Sequence, residues 1–230
     1  MAGAPDHATF AANHMRESLW ASVVGSLWAV LLHLNGLTWR KQWIGMEELD
    51  DRLARGDRTL LCFWHGKYLP LLFLLRGRGG CVFTSLSFRG GVIASLCRRF
   101  GYDCVKIPEV ERGRTAEVLR EAMGKYRLCG IAIDGPLGPY HVVKRRTIQL
   151  AASFGFVVLP VSVASGCKFI LRSRWDRMEV PYPFARVCVV FGKALRLTAP
   201  LRSWEAAAMT REIRKALDEA EACAEDNLNR

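Results

Sequence analysis

Hydrophobic residues recur along the chain in two rhythms. Short apolar runs at 59–64, 81–84, 104–107, 128–133 and 156–163 have the length and bounding turns of buried strands. Between them lie stretches with helical spacing. Val92, Ile93, Leu96 and Phe100 mark one such face, closed by Gly101, and Ala116, Leu119, Met123 and Tyr126 mark another. A helical stretch over 148–154 precedes the long run at 156–163, and shorter apolar runs follow at 169–171 and 187–191. Residues 204–224 place Ile213, Leu217 and Ala220 on one side and charges elsewhere, the pattern of an amphipathic helix. Strand–helix alternation of this kind predicts an α/β fold, a single layered domain with a mixed, mostly parallel sheet flanked by helices. No repeat, low-complexity tract or Pro/Gly/Ser linker divides it.

The N-terminal part follows a different rule. Residues 18–39 carry no Asp, Glu, Lys or Arg, and about 20 such residues suffice to cross a bilayer. Ser22, Gly25, Ser26, His33 and Gly36 fall on one helical face, and Trp20, Val23, Val24, Leu27, Leu31 and Leu34 on the other. The pattern predicts an amphipathic or hydrophobic N-terminal helix lying in the membrane interface, with Trp20, Trp28, Trp39 and Trp43 at headgroup level. Arg16, Arg40 and Lys41 would meet anionic lipid. A helix packed on the domain's own core and a true span are the alternatives. Nothing small and cleavable precedes Lys41, so a signal peptide is not expected. This reading divides the chain into residues 1–40, a membrane-associating helix, and 41–230, the α/β domain.

Charge sharpens the picture. In 230 residues, 33 Lys and Arg against 22 Asp and Glu give +11, which favours anionic partners. Nucleic acid is not expected among them, because the basic residues are scattered and form no recognised module. The eight cysteines lack the spacing of a zinc or redox motif and read as buried thiols in a reducing compartment. No metal site is expected.

In a parallel sheet, ligands sit outside the carboxyl ends of the strands. Three polar clusters are predicted there. Trp64-His65-Gly66-Lys67 follows the first run, Thr84-Ser85-Leu86-Ser87 the second, and Asp134-Gly135-Pro136-Leu137-Gly138-Pro139 a later one. Each has a bland explanation as a turn or a helix cap. Together they bring an imidazole, hydroxyls, a carboxylate and the cations Lys67, Arg89, Lys144, Arg145 and Arg146 toward one edge.

At these residues the chain resembles the lysophospholipid acyltransferase superfamily, and more narrowly its bacterial branch related to lipid-A-type acyltransferases. The resemblance rests on Phe63-Trp64-His65-Gly66-Lys67, Ile133-Asp134-Gly135-Pro136 and Val158-Leu159-Pro160-Val161. It extends through Ser173-Arg174-Trp175-Asp176-Arg177 and Pro181-Tyr182-Pro183-Phe184, covering about residues 40 to 195. It implies an O-acyltransferase that moves a fatty acyl group from a thioester, acyl-CoA or acyl-carrier protein, to a hydroxyl of a lysophospholipid or related lipid. It also implies His65 as general base, Asp134 as a further catalytic residue, and no resident cofactor. Lys67, Thr84, Ser85, Ser87, Arg89, Gly135, Pro136, Lys144 and Arg145 would bind substrate. The expected partners are the acyl donor and anionic membrane lipid, and the expected location is the cytoplasmic face of the inner membrane, peripheral or anchored by the N-terminal helix.

Some positions depart from the family's pattern. An Asp five residues after the His usually orients its ring, and here Pro70 stands there. Either another acid such as Asp134 or a backbone carbonyl fixes the tautomer, or the base is weak, or the chain is a non-catalytic lipid-binding relative. Leu137 replaces a frequent Arg, Arg89-Gly90-Gly91 an acidic segment, and Ile107-Pro108-Glu109-Val110 a Gly-Ser-Ser pattern.

Overall fold

The computed structural model describes residues 7–108 and 112–229. Its centre is an eight-stranded sheet in the order β1-β9-β6-β2-β5-β3-β4, with β10 pairing β6. The strands are β1 (Arg40–Ile44), β2 (Thr59–Phe63), β3 (Cys81–Ser85), β4 (Asp103–Ile107), β5 (Leu128–Ala132), β6 (Val157–Ser165), β9 (Arg186–Phe191) and β10 (Leu195–Arg196). A separate hairpin joins β7 (Lys168–Ile170) to β8 (Glu179–Pro181). Strands β2 to β6 run parallel; β9, β1 and β10 run against them. The sheet is mixed and mostly parallel, as expected.

Connection handedness decides which face each helix covers. From β2 to β3 to β4 the chain moves toward one edge, and its helices α3 (Tyr68–Leu74) and α4 (Phe88–Arg99) lie on one face. From β4 to β5 to β6 it returns, and right-handed crossovers then place α5 (Arg112–Lys125) and α6 (Arg145–Ser153) on the other. The C-terminal helix α7 (Ser203–Leu228) packs beside α6, and α2 (Met46–Arg55) joins the first face through Leu49. Strand β2 is buried throughout because it serves both cores, Leu61 and Phe63 on one side and Leu60 and Cys62 on the other. Adjacent strands β2 and β5 therefore send their chains to opposite faces, which opens a crevice at their carboxyl ends.

Helix α1 (His7–Thr38) docks across α4 and α3. Its small and polar face is the inner one. A Cβ on Gly25 would collide with the Val92 carbonyl, and one on Gly36 with the Phe73 ring. Ser95 donates to the Ser22 carbonyl at 3.1 Å, and His33 stacks 6.4 Å from Phe100. The opposite face leaves Trp20, Val23, Leu27, Trp28, Leu31 and Leu34 exposed. Residues 16–38 are long and apolar enough to cross a membrane. Trp39 departs from the expectation of a headgroup ring. It is buried, with Nε1 donating to Asn35 at 3.2 Å and its ring against Phe73. Trp43 sits in β1, half-buried against the core.

Among the described residues all eight cysteines are free thiols, five of them buried. Cys167 is exposed, and so departs from the expectation of burial.

Candidate active site

Strand β2 ends at Phe63, and the chain turns at once into the short 3-10 helix His65–Lys67. Neighbouring β5 ends at Ala132 and turns at Gly135, whose φ of 76° only glycine adopts freely. His65 and Asp134 thus face each other across the crevice. Their contact is through the main chain: the His65 backbone N–H donates to an Asp134 carboxylate oxygen at 2.9 Å. Asp134 is fully buried. Burial raises its carboxyl above the ordinary range, against the His65 N–H and His65 charge that favour ionisation.

The carboxylate on the His65 ring is a different one. Nδ1 lies 2.7 Å from Asp176, a residue of the loop between β7 and β8. Arg174 grips the same carboxylate with two hydrogen bonds, 2.9 and 2.7 Å, in the bidentate geometry that suits guanidinium and carboxylate. Burial alone would push Asp176 up; the Arg174 guanidinium and the His65 ring outweigh it and hold the carboxyl well below the usual range. A charged carboxylate can only accept, so Nδ1 carries the proton and Nε2 is left as the basic nitrogen. The imidazole keeps 20% of its side-chain surface exposed between the rings of Tyr68 and Trp175, each 5.2 Å away. An acid–base group with one nitrogen fixed and one edge open is suited to proton transfer.

Gly66 is held by the same loop, since a Cβ there would collide with the Asp176 carbonyl. Trp64 stacks on His141 at 4.3 Å.

The remaining expected residues divide. Lys67 does not face an open pocket. It is buried, with Nζ 2.8 Å from Glu179 and 2.7 Å from Glu221. Ser87 caps α4 by accepting from the Gly90 N–H at 3.1 Å and shares a 2.6 Å hydrogen bond with Ser85; Thr84 meets the Cys104 thiol at 3.4 Å. Lys144 donates to the Gly138 carbonyl and so braces the 134–139 turn, where Pro136 and Leu137 are exposed. Arg89 and Arg145 lie exposed in the first turns of α4 and α6, at the carboxyl edge of the sheet. Glu109 and Val110 lie outside the described residues. Among the described residues no group of three or more His, Cys, Asp or Glu is arranged to hold a metal.

Asp176 and Arg174 were visible in the sequence only as part of the Ser173–Arg177 string. Their one local signal is an acid and an arginine two residues apart in a polar loop.

No family model matches the chain. An uncharacterized protein of Rickettsia prowazekii (strain Madrid E) is 26% identical over 153 residues, 65% of this chain and 69% of that one. The crystal structure of the 1-acyl-sn-glycerophosphate (LPA) acyltransferase PlsC from Thermotoga maritima superposes with a TM-score of 0.51 at 17% identity, covering 83% of this chain and 78% of that one. The chain therefore shares the fold of that acyltransferase.

Proposed function

We propose that this chain is an O-acyltransferase that moves a fatty acyl group from a thioester donor to a hydroxyl of a lysophospholipid or related lipid. The observation that carries the reading is the His65–Asp176–Arg174 chain at the crevice between β2 and β5. Nε2 takes the proton of the acceptor hydroxyl as its oxygen attacks the thioester carbonyl. The proton then passes to the departing thiolate, and Asp176 stabilises the imidazolium in between. A hydroxyl is a weak nucleophile at neutral pH, so this base is the element the reaction needs. Asp176 supplies beside His65 the acid that Pro70 does not, which favours the catalytic reading over a non-catalytic lipid-binding relative.

The surroundings fit a lipid substrate. A small apolar cavity lies beneath α3, lined by Leu61, Phe63, Tyr68, Leu72 and Val82, and the Tyr68 ring packs 5.2 Å from the His65 ring. Arg89, Arg145 and Arg146 offer cations to an acceptor phosphate. The exposed apolar face of α1 supports seating on a membrane surface, which this reading takes to be the cytoplasmic face of the inner membrane. Acyl-CoA and acyl-carrier protein both supply the thioester, and the lipid-A-related branch fits the Asp134 and Ser173 motifs.

The test is direct. Purified protein is given acyl-CoA or acyl-carrier protein with a panel of lysolipids, and products are read by mass spectrometry. Transfer lost in His65→Ala supports the reading; transfer retained in a folded His65→Ala protein ends it.

A further inference from the structure

Lys67 stands two residues after His65 and yet faces away from any open pocket. The residue is 3% exposed, and its ammonium is held by Glu179 of β8 and Glu221 of α7, at 2.8 and 2.7 Å. Lys168 pairs with Glu179 at 2.9 Å, so four charges of alternating sign run Lys168, Glu179, Lys67, Glu221 and sum to zero. Burial works against the Lys67 charge, but the two carboxylates outweigh it and raise its pKa above the ordinary lysine value.

We propose that Lys67 is a positioning residue, clamped by Glu179 and Glu221 so that the turn carrying His65 is fixed against the 174–179 loop; this rests on His65 being the base. Three successive residues engage that loop. The His65 ring takes the Asp176 carboxylate, Gly66 lies flat against the Asp176 carbonyl, and Lys67 takes Glu179. Glu221 adds a fourth element from far along the chain. Asp218, one turn earlier on α7, lies 3.8 Å from the His141 ring that stacks on Trp64. The C-terminal helix thus grips the turn on both sides of His65. Buried ion pairs add little net stability compared with apolar packing, whereas loss of one partner strands a charge. Such a network is better suited to fixing a geometry, and proton transfer is sensitive to shifts of about 1 Å.

The experiment compares full-length wild type, Lys67→Met and Glu221→Gln by two readouts. One is the NMR signal of the His65 ring protons, which reports the Nδ1–H bond to Asp176 without need of substrate. The other is kcat and KM for acyl transfer. In folded Lys67→Met the ring signal should shift or broaden and kcat should fall about 10- to 100-fold, with acceptor KM nearly unchanged. Glu221→Gln should move both in the same direction by less. Wild-type ring signal and kcat in folded Lys67→Met would overturn the proposal. So would a raised KM with unchanged kcat, the mark of a substrate-binding lysine. If Lys67→Met does not fold, Glu221→Gln decides by the same signs. If the wild type transfers no acyl group, the acyltransferase reading fails and the ring signal alone judges the clamp.

Discussion

His65 and Asp176 lie 111 residues apart in the chain and meet at 2.7 Å. The shorter route, an acid five residues after the histidine, is closed because Pro70 lies within the apolar helix α3, where residues 69–74 are buried. A carboxylate there would point into the core. The β7–β8 loop instead delivers Asp176 from outside the sheet, together with the arginine that keeps it ionised.

That pairing sets the first prediction. His65→Ala should lower kcat by about 10²–10⁴. Asp176→Asn should cost within about the same range, since the wrong tautomer disables the base. The double variant should be no worse than His65→Ala alone, because the two act as a unit. Additive losses would show that Asp176 acts elsewhere.

Gly66 gives a pair of substitutions with opposite signs. Gly66→Ala drives a methyl into the Asp176 backbone and should destabilise by about 1–3 kcal/mol while lowering kcat. Gly113→Ala meets nothing within 4 Å on helix α5 and should stabilise by about 0.5–1 kcal/mol. Thermal unfolding of the two variants measures both.

Asp176 and Asp134 should shape acid stability in opposite directions. Asp176 titrates lower in the folded chain than the unfolded value near ~3.9. Its contribution is present above that pH and is lost as pH falls through the folded value. Asp134 titrates higher when folded, so its contribution is present below ~3.9 and is lost as pH rises through the folded value. Relative to wild type, Asp134→Asn should gain stability as pH rises above about 4, while the deficit of Asp176→Asn should shrink below about pH 4. Urea unfolding on both sides of about pH 4 checks both signs.

The two faces of α1 should separate by experiment. Gly25→Leu forces the helix off α4 and should lower Tm. Trp20→Ser with Trp28→Ser alters exposed residues and should leave Tm unchanged. The second pair should weaken flotation with anionic vesicles about tenfold or more, since a large apolar side chain withdrawn from water contributes about 1.5–3 kcal/mol.

Much of this fold was legible because its central strands are continuous apolar runs closed by Gly, Pro or polar turns. Helix α3 was not. Tyr68–Leu74 is apolar on every side, so it has no 3.6-residue rhythm, and Pro70 reads as a breaker although the first helical turn tolerates it. Strand β1 was hidden by Arg40, Lys41 and Gln42, which an edge strand can carry. At the site, His65 and Asp134 were readable from their places after two apolar runs. The partner of His65 was not, because loop contacts across more than a hundred residues leave no periodic trace. Lys67 misled for a related reason: a lysine beside a histidine suggests a ligand, and the carboxylates that claim it come from distant elements.

Helix α1 ends at Thr38 and β1 begins at Arg40, with only the buried Trp39 between them. That junction leaves no slack for a swivel, and the glycine contacts with α4 and α3 restrain roll about the helix axis. Whatever surface takes hold of the outer face of α1 therefore dictates the tilt of the whole sheet. The crevice at His65 would then meet that surface from one fixed bearing and at one fixed height, as an instrument on a rigid mount and not as a float on a line.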